Sequence, residues 1–157
     1  MFDIAMHGVR RDQQQLAHGN GDSKELEKIE VYRQLLKDLS VAENAEAVLN
    51  LSRQVLLMNP ESYQTWNLRK RALLSSQTLG DEFSFNVDTI KLNPKSYNCW
   101  YHRRWLISTF FLEGNNDDKK QIFDWRFELK LCAKLLSLDP RNCTSFIQLL
   151  FSNYHGV

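Results

Sequence analysis

The stretch of sequence that decides the fold is residues 93–105, which read NPKSYNCWYHRRW. A close copy begins at Asn59 as NPESYQTWNLRKR, and a looser copy begins at Asp139 as DPRNCTSF. In each copy an aromatic residue lies six positions after the proline, and successive copies begin 34 and 46 residues apart. A motif that recurs at this interval is typical of an array of helical repeats.

The proline of each copy predicts where a helix begins. The preceding Asn or Asp can accept hydrogen bonds from the free N–H groups of a first helical turn. Proline at the first helical position loses no hydrogen bond, because its missing N–H has no partner there. We therefore predict helices that begin at about Pro60, Pro94 and Pro140. Ser40 and Glu43 have the spacing of a capping box for the helix before the first copy.

The predicted repeating unit is helix, short turn, helix, and residues with strand alternation are scarce. The fold class is therefore all-α: a right-handed solenoid of antiparallel helical hairpins, similar to the α-α superhelix of tetratricopeptide proteins. We predict a polar flexible tail at 1–22, helical repeats at 23–142 and a divergent end at 143–157. The third copy keeps its aromatic as Phe146 but lacks the arginine pair, so we expect a truncated form of a longer repeat protein.

Composition limits the class of protein. A net charge of +1 does not favour nucleic acid as a partner. No apolar run is long enough to span a bilayer, and the first residues lack the apolar core of a signal peptide. The three cysteines have no CxxC spacing and are typical of reduced thiols, so we expect a cytoplasmic protein.

Aromatic and basic residues of the first two copies recur at helical spacing. Tyr63, Trp66 and Arg69 are three residues apart, and the second copy repeats this order. We predict that tyrosine, tryptophan and arginine share one helical stripe. The tryptophans would pack between repeats, and the arginines would bond carbonyls or carboxylates at the junctions. The structural and interface residues predicted for the repeats are Tyr63, Trp66, Arg69, Tyr97, Trp100, His102, Arg103 and Arg104.

The sequence predicts neither a metal site nor a catalytic residue in this chain. His7, His18 and His102 do not combine with one another or with the cysteines at the spacing of a ligand set. Patterns for a Ser-His-Asp site, a Gly-rich phosphate loop or an HExxH helix are absent. We therefore assign no cofactor to the chain itself.

The Asn-Pro-x-x-Tyr-x-x-Trp-x-x-Arg frame resembles the repeat of the protein prenyltransferase α subunits. Residues 93–105 are a close match and residues 59–71 a good one. Three further segments look like the type II, Rab-modifying branch of that family: MHG from Met6, KELEK from Lys24 and ELKLC from Glu128. The resemblance implies a crescent of helical hairpins wrapped around an α/α-barrel β subunit, which holds the catalytic zinc and most of the prenyl pocket.

The resemblance also implies a reaction and its partners. The heterodimer would transfer a geranylgeranyl group from geranylgeranyl diphosphate to C-terminal cysteines of Rab GTPases presented by an escort protein. The lysine of the NPK-x-Tyr frame faces the isoprenoid diphosphate in this family, and it corresponds to Lys95 here. An ammonium group is suited to that position because it stabilises charge on a departing diphosphate. Glu61 occupies the same position in the first frame, so the second frame alone offers this role.

Three alternatives stay open at the level of sequence. The α subunit shared by farnesyltransferase and type I geranylgeranyltransferase has the same repeats but usually a longer start. A tetratricopeptide-like scaffold would have a similar 34-residue period and no catalytic partner. A chain that binds the β subunit without supporting turnover is a third interpretation, motivated by the arginines that the third frame lacks.

Overall fold

The computed structural model describes residues 11–76, 79, 81–112 and 124–155. All regular elements within these ranges are helical. They are α1 (Arg11–Ser40), α2 (Ala45–Met58), α3 (Tyr63–Ser76), α4 (Glu82–Leu92), α5 (Tyr97–Ile107), α6 (Trp125–Leu138) and α7 (Cys143–His155). The chain continues from α5 into a wider π-helical turn, Ser108–Leu112. The predicted all-α class is confirmed.

Six of the helices form three hairpins, α2–α3, α4–α5 and α6–α7. Within each hairpin the two helices are joined by four residues, at 59–62, 93–96 and 139–142. Connections this short make the two helices antiparallel neighbours. The hairpins then stack, because α2 packs on α4, α3 on α5 and α5 on α7, while α1 covers α2. The predicted solenoid of helical hairpins is confirmed.

The helices after the prolines begin three residues later than predicted. They start at Tyr63, Tyr97 and Cys143. The reason is visible at Asn59, whose Oδ1 accepts the N–H of Glu61 at 3.1 Å, two residues along the chain. This bond makes an Asx turn that holds the proline in the turn instead of in the helix. The backbone N–H of Asn59 bonds to Val55 at 2.8 Å, so Asn59 ends α2 and does not begin α3.

Two expectations at the start of the chain also change. Helix α1 begins at Arg11, so residues 11–22, expected in a flexible tail, are helical, while residues 1–10 lie outside the described ranges. The capping box at Ser40 is wrong. Ser40 donates to the carbonyl of Lys37, and α2 is capped by Asn44, whose Oδ1 accepts the N–H of Ala47 at 2.8 Å. Asn44 lies directly before the helix and therefore has the better geometry.

The hydrophobic core lies between the two layers of helices. Its central residues come from all three hairpins: Leu56, Trp66, Phe85, Ile90, Cys99, Trp100, Cys132 and Leu135. Trp66 and Trp100 are almost completely buried. A tryptophan supplies a large area of apolar contact in one side chain, and the same position in successive repeats therefore builds a continuous core.

Candidate functional site at the proline turns

The three proline turns lie side by side along one edge of the stacked hairpins. Glu61 of the first turn accepts a hydrogen bond from Asn93 of the second at 3.1 Å. Lys95 of the second turn forms an ion pair with Asp139 of the third at 2.6 Å. We call this surface the turn edge, and it comprises residues 58–63, 92–97 and 138–143.

A tryptophan anchors each of the first two turns from below. The indole N–H of Trp66 donates to the carbonyl of Pro60 at 2.9 Å, and that of Trp100 donates to Pro94 at 2.9 Å. A buried tryptophan N–H needs such an acceptor. The six-residue spacing between proline and aromatic therefore has a direct structural cause. Phe146 stands at the same position of the third frame, but its ring has no N–H group, so the third turn lacks this hydrogen bond.

Lys95 projects from the turn edge and is 63% exposed. Its partner Asp139 is more enclosed, at 32% exposure. The hydrogen bond from Lys95, together with the backbone N–H of Arg141, lowers the pKa of Asp139 below its ordinary value. Asp139 is therefore a carboxylate at neutral pH, and it fixes a cation at the middle of the turn edge.

Aromatic and apolar side chains are also exposed on the turn edge. Tyr63 and Tyr97 are 59% and 60% exposed. The apolar residue directly before each Asn/Asp-Pro pair is exposed as well; these are Met58, Leu92 and Leu138. Exposed apolar side chains that recur at one position in every repeat are typical of an interaction site.

The prediction that tyrosine shares one stripe with tryptophan and arginine is wrong. Trp66 and Arg69 are buried, whereas Tyr63 is exposed. At 3.6 residues per turn, six residues bring the chain to a position about 120° around the helix axis from the starting residue. Tyr63 and Arg69 therefore point to different sides of α3. The same difference separates Tyr97 from Arg103 on α5.

Arg69 forms a buried ion pair between the first and second hairpins. Its Nε and Nη2 donate to the carboxylate of Glu82 at 2.6 to 3.0 Å, and both side chains are at most 3% exposed. Its Nη1 donates to the carbonyl of Leu49 at 2.6 Å and to Ser52 Oγ at 2.9 Å, both in the first hairpin. Arg69 thus connects α2 and α3 to α4.

Arg103 repeats this arrangement between the second and third hairpins. Its Nε and Nη2 donate to the carboxylate of Glu128 at 2.6 to 2.9 Å. Its Nη1 donates to Asn86 Oδ1 at 3.3 Å within the second hairpin. In the third frame the same position is Leu149. Arg103 and Arg69 are therefore structural residues of the junctions and do not lie on the exposed turn edge.

Each buried glutamate accepts one more hydrogen bond from within its own hairpin. The Nε2 atom of His102 lies 2.7 Å from Glu82 Oε1, and Nε2 of Gln148 donates to Glu128 Oε1 at 2.7 Å. His102 and Gln148 occupy the same position of successive frames. A carboxylate only accepts hydrogen bonds, so the Nε2 atom of His102 carries the proton.

His102 is neutral because it is completely buried. Burial lowers its pKa to about 4, although the hydrogen bond to Glu82 acts in the opposite direction. The charge on Glu82 is already compensated by Arg69, and Nδ1 of His102 has no hydrogen-bond partner among the described residues. A second proton would therefore leave a buried N–H donor unpaired.

The repeated frame predicts the two arginines but not their partners Glu82 and Glu128, nor Gln148. The pairs are separated by 13 and 25 residues, so no helical periodicity connects them. A signal was nevertheless present. Both glutamates lie 11 residues before the Asn or Asp of the next proline frame, at Asn93 and Asp139.

The remaining predicted basic residue, Arg104, is half-buried, and its guanidinium lies 5.9 Å from the ring of Tyr97. On the neighbouring helix the ammonium of Lys70 lies 4.2 Å from the ring of Tyr101 and 5.4 Å from that of Trp105. Burial lowers the pKa of Lys70 to about 8. The contacts of Lys70 join α3 to α5, whereas that of Arg104 lies within α5.

The chemistry available in the described ranges is that of a binding surface. Among the side chains described there, no three His, Cys, Asp or Glu residues cluster as metal ligands would. Lys95 offers an exposed cation beside aromatic and apolar groups, which suits an anionic ligand with an apolar part or a protein partner. None of the helices in those ranges combines the length and the apolar character needed to cross a bilayer.

Comparison with known proteins identifies the repeat. Residues 45–76 and 79–110 each match the family described as "Protein prenyltransferase alpha subunit repeat". The first match corresponds to hairpin α2–α3, and the second includes α4, α5 and part of the π-helical turn. The family's repeat is therefore the hairpin with its proline turn, its anchoring tryptophan and its buried arginine.

Similar proteins occur in several organisms. Over 135 residues the chain is 37% identical to the geranylgeranyl transferase type-2 subunit alpha of Dictyostelium discoideum, a match that covers 76% of this chain and 40% of that protein. The subunits of the same name from Candida albicans and Mus musculus are 31% and 36% identical. Those matches cover 73% and 62% of this chain, and 34% and 17% of the relatives.

The chain thus spans less than half the length of these relatives. Within the part that it spans, the sequence frame, the hairpin fold and the similarity to the relatives agree. The two matched segments are repeats of the protein prenyltransferase alpha subunit type, and the chain is similar to type-2 alpha subunits over most of its own length.

Proposed function

We propose that this chain is the first part of the α subunit of a type II, Rab-modifying geranylgeranyltransferase. The enzyme would transfer geranylgeranyl from geranylgeranyl diphosphate to C-terminal cysteines of Rab GTPases, presented by an escort protein in the cytoplasm. The observation that carries the proposal is the exposed Lys95 at the centre of the turn edge, in a chain similar to type-2 α subunits.

The β subunit is the partner that we propose for the turn edge. It would cover the exposed tyrosines and the apolar residue before each proline turn, which water otherwise contacts. Burial of such a row supplies association free energy of about 25 cal/mol for each Å² of apolar surface, before the losses of freedom on binding. The catalytic zinc and the prenyl pocket belong to that subunit in this proposal, and the present chain supplies scaffold, interface and one cation.

The proposed role of Lys95 is to stabilise negative charge on the diphosphate as it leaves. Prenyl transfer to a thiolate breaks the carbon–oxygen bond to diphosphate, and negative charge grows on the departing oxygen. A positioned ammonium lowers the energy of that transition state more than that of the bound substrate. Glu61 and Arg141 occupy the equivalent position in the other frames, so the three turns are chemically distinct.

Co-expression with a type II β subunit tests the proposal. We expect a 1:1 complex in size-exclusion chromatography that transfers geranylgeranyl, in preference to farnesyl, to a Rab–escort substrate. Lys95→Met should lower kcat with the complex intact, whereas Lys91→Met should not, because Lys91 pairs with Asp88 on α4. Failure to bind the β subunit would contradict the proposal. Binding without turnover would identify a non-productive form.

The donor used by the complex separates the alternatives. Transfer of farnesyl with a farnesyltransferase β subunit would indicate the shared α subunit of the other branch. No complex with any β subunit, together with capture of peptides by the chain, would indicate a tetratricopeptide-like scaffold. The similarity to type-2 alpha subunits favours the prenyltransferase proposal, since the exposed lysine alone would also suit a peptide partner.

A further inference from the structure

The carboxylate of Asp139 is held in a fixed orientation on the turn edge. Its Oδ1 accepts the backbone N–H of Arg141 at 3.0 Å, and its own backbone N–H donates to the carbonyl of Leu135 at 3.0 Å. Its Oδ2 lies 2.6 Å from Nζ of Lys95. One oxygen is thus occupied by the turn, and the other is directed at the lysine of the neighbouring frame.

This contact has a counterpart with different charges at the first junction. There Glu61 stands in the position of Lys95 and accepts hydrogen bonds from Asn93 and Asn98. The backbone geometry that brings the third residue of one frame to the first residue of the next is therefore common to both junctions. The combination of lysine and aspartate is specific to the second junction, where the proposed substrate contact lies.

An exposed ion pair of this kind adds little to the stability of the fold. Pairs between exposed charges contribute little net stability, because water and side-chain entropy oppose them. The junction is already held by the buried pair of Arg103 and Glu128. A lysine side chain has four flexible carbons, so its ammonium occupies a defined position only if a partner holds it.

We propose that Asp139 is the positioning residue for Lys95 and holds its ammonium at the turn edge, ready for a diphosphate. The inference rests on the proposed function, in which Lys95 contacts the diphosphate. An ammonium has three N–H donors, and one carboxylate oxygen uses one of them. Two donors stay available for phosphate oxygens, so the pair does not have to open before the substrate binds.

The test uses the complex with the β subunit and a substitution that preserves the turn. Asp139→Asn keeps the Oδ1 acceptor of the Asx turn, because Asn59 makes the same bond to Glu61 at 3.1 Å in the first frame. It removes the charge that faces Lys95. We expect kcat to fall about two- to fivefold, as the worth of an exposed pair implies, with KM for geranylgeranyl diphosphate unchanged.

A double-variant cycle separates positioning from a general structural effect. In the Lys95→Met background, Asp139→Asn should have no further effect on kcat, because Asp139 acts only through the lysine. The matched control is Asp88→Asn, which breaks another exposed lysine–aspartate pair, with Lys91 on α4, and should leave kcat and KM unchanged. A fall in kcat that persists in the Lys95→Met background would overturn the inference.

Other outcomes distinguish the inference from the proposed function. Full activity of the Lys95→Met enzyme would contradict both the proposed contact between Lys95 and the diphosphate and the positioning role of Asp139. A low kcat in the Lys95→Met enzyme together with an unchanged kcat in the Asp139→Asn enzyme would contradict only the role of Asp139. A lower KM in Asp139→Asn would mean that the carboxylate competes with the diphosphate, which also overturns positioning.

A measurement on the chain alone covers the case in which no complex forms. In ¹³C-dimethylated protein the Lys95 methyl resonance should move as pH falls through the lowered pKa of Asp139, and not in Asp139→Asn. A Lys95 resonance that is the same in both proteins at every pH would overturn the inference.

Discussion

At the scale of single residues, His102 and Gln148 make the same hydrogen bond to a buried glutamate with chemically different side chains. Both are buried, and both lie 2.7 Å from the glutamate of their own hairpin. Each also leaves one acceptor, Nδ1 or Oε1, without a partner among the described residues. Glutamine can therefore replace histidine at this position without a change in the hydrogen bond, but only histidine can take up a proton.

This difference predicts a pH dependence of stability. The pKa of His102 is about 4 in the fold and about 6.5 in the unfolded chain, so the unfolded state binds more protons between these values. The contribution of neutral His102 to the free energy of unfolding is therefore complete above about pH 6.5. It is lost as pH falls towards 4, and the loss is at most about 3 kcal/mol. Urea unfolding at pH 7.5 and 5.0 should show the loss, and His102→Gln should reduce it. An equal loss in both proteins would contradict the assignment.

The cysteines provide a second test at this scale. Cys99 and Cys132 are buried and Cys143 is exposed. Burial, with the charge of Glu128, raises the pKa of Cys132 to about 12, and burial also raises that of Cys99. With a disulfide reagent at pH 8 we expect one fast thiol, with the other two reacting only on unfolding. Cys143→Ser should remove the fast phase; two or more fast thiols would mean an open core.

At the scale of the helices, the buried arginine–glutamate pairs stabilise the junctions between hairpins. Arg69→Met would leave the carboxylate of Glu82 buried without its main partner. Breaking a buried pair in this way destabilises a protein by about 3–5 kcal/mol. Arg71→Met, on the same helix but exposed, should change the free energy of unfolding by less than about 0.5 kcal/mol.

Urea unfolding of both variants measures this difference. Equal effects of the two substitutions would show that the ion pair between Arg69 and Glu82 does not stabilise the junction. A partial recovery in the double variant Arg69→Met, Glu82→Gln would indicate that the uncompensated charge is the main cause, because the neutral amide is less costly to bury than the carboxylate.

The hairpins could be predicted from sequence because each carries its own local signal. Proline and the aromatic six residues later recur, and the structure supplies the reason in the bond from Trp66 to Pro60. The exact helix starts could not be predicted, because Asn before Pro is equally suited to a cap and to an Asx turn. Which of the two forms depends on Asn59 also ending the helix before it.

Only part of the candidate site could be predicted from the sequence. Lys95 follows from its frame, but its partner Asp139 lies 44 residues away, and the contact exists only because the hairpins stack. The exposure of Tyr97 was missed because the first residue of a helix lies at the edge of the packed face. Long-range contacts and exposure at helix ends are both products of packing, on which local patterns carry little information.

At the scale of the whole molecule, the exposed face of α7 predicts self-association. Phe146, Ile147 and Leu150 lie on one side of this helix, and each is 45% exposed or more. Contiguous apolar side chains of this kind favour contact between copies. We expect the mass measured by light scattering to rise with concentration, and Ile147→Lys to reduce that rise.

The control for this prediction adds the same charge without removing the apolar face. Asn50 is exposed on a different helix, α2, so Asn50→Lys should leave the self-association unchanged if apolar contact is its cause. An equal reduction by both substitutions would mean that net charge, and not the face formed by Phe146, Ile147 and Leu150, controls the association.

The buried pairs also determine how the array comes apart. Arg69 and Arg103 each belong to one hairpin and neutralise a glutamate in the next, so loss of the last described hairpin breaks the ion pair between Arg103 and Glu128. Fraying from one end, the usual route for a linear repeat array, therefore begins with an unpaired charge. The ion pairs couple neighbouring hairpins, and we expect the described hairpins to melt as one cooperative unit.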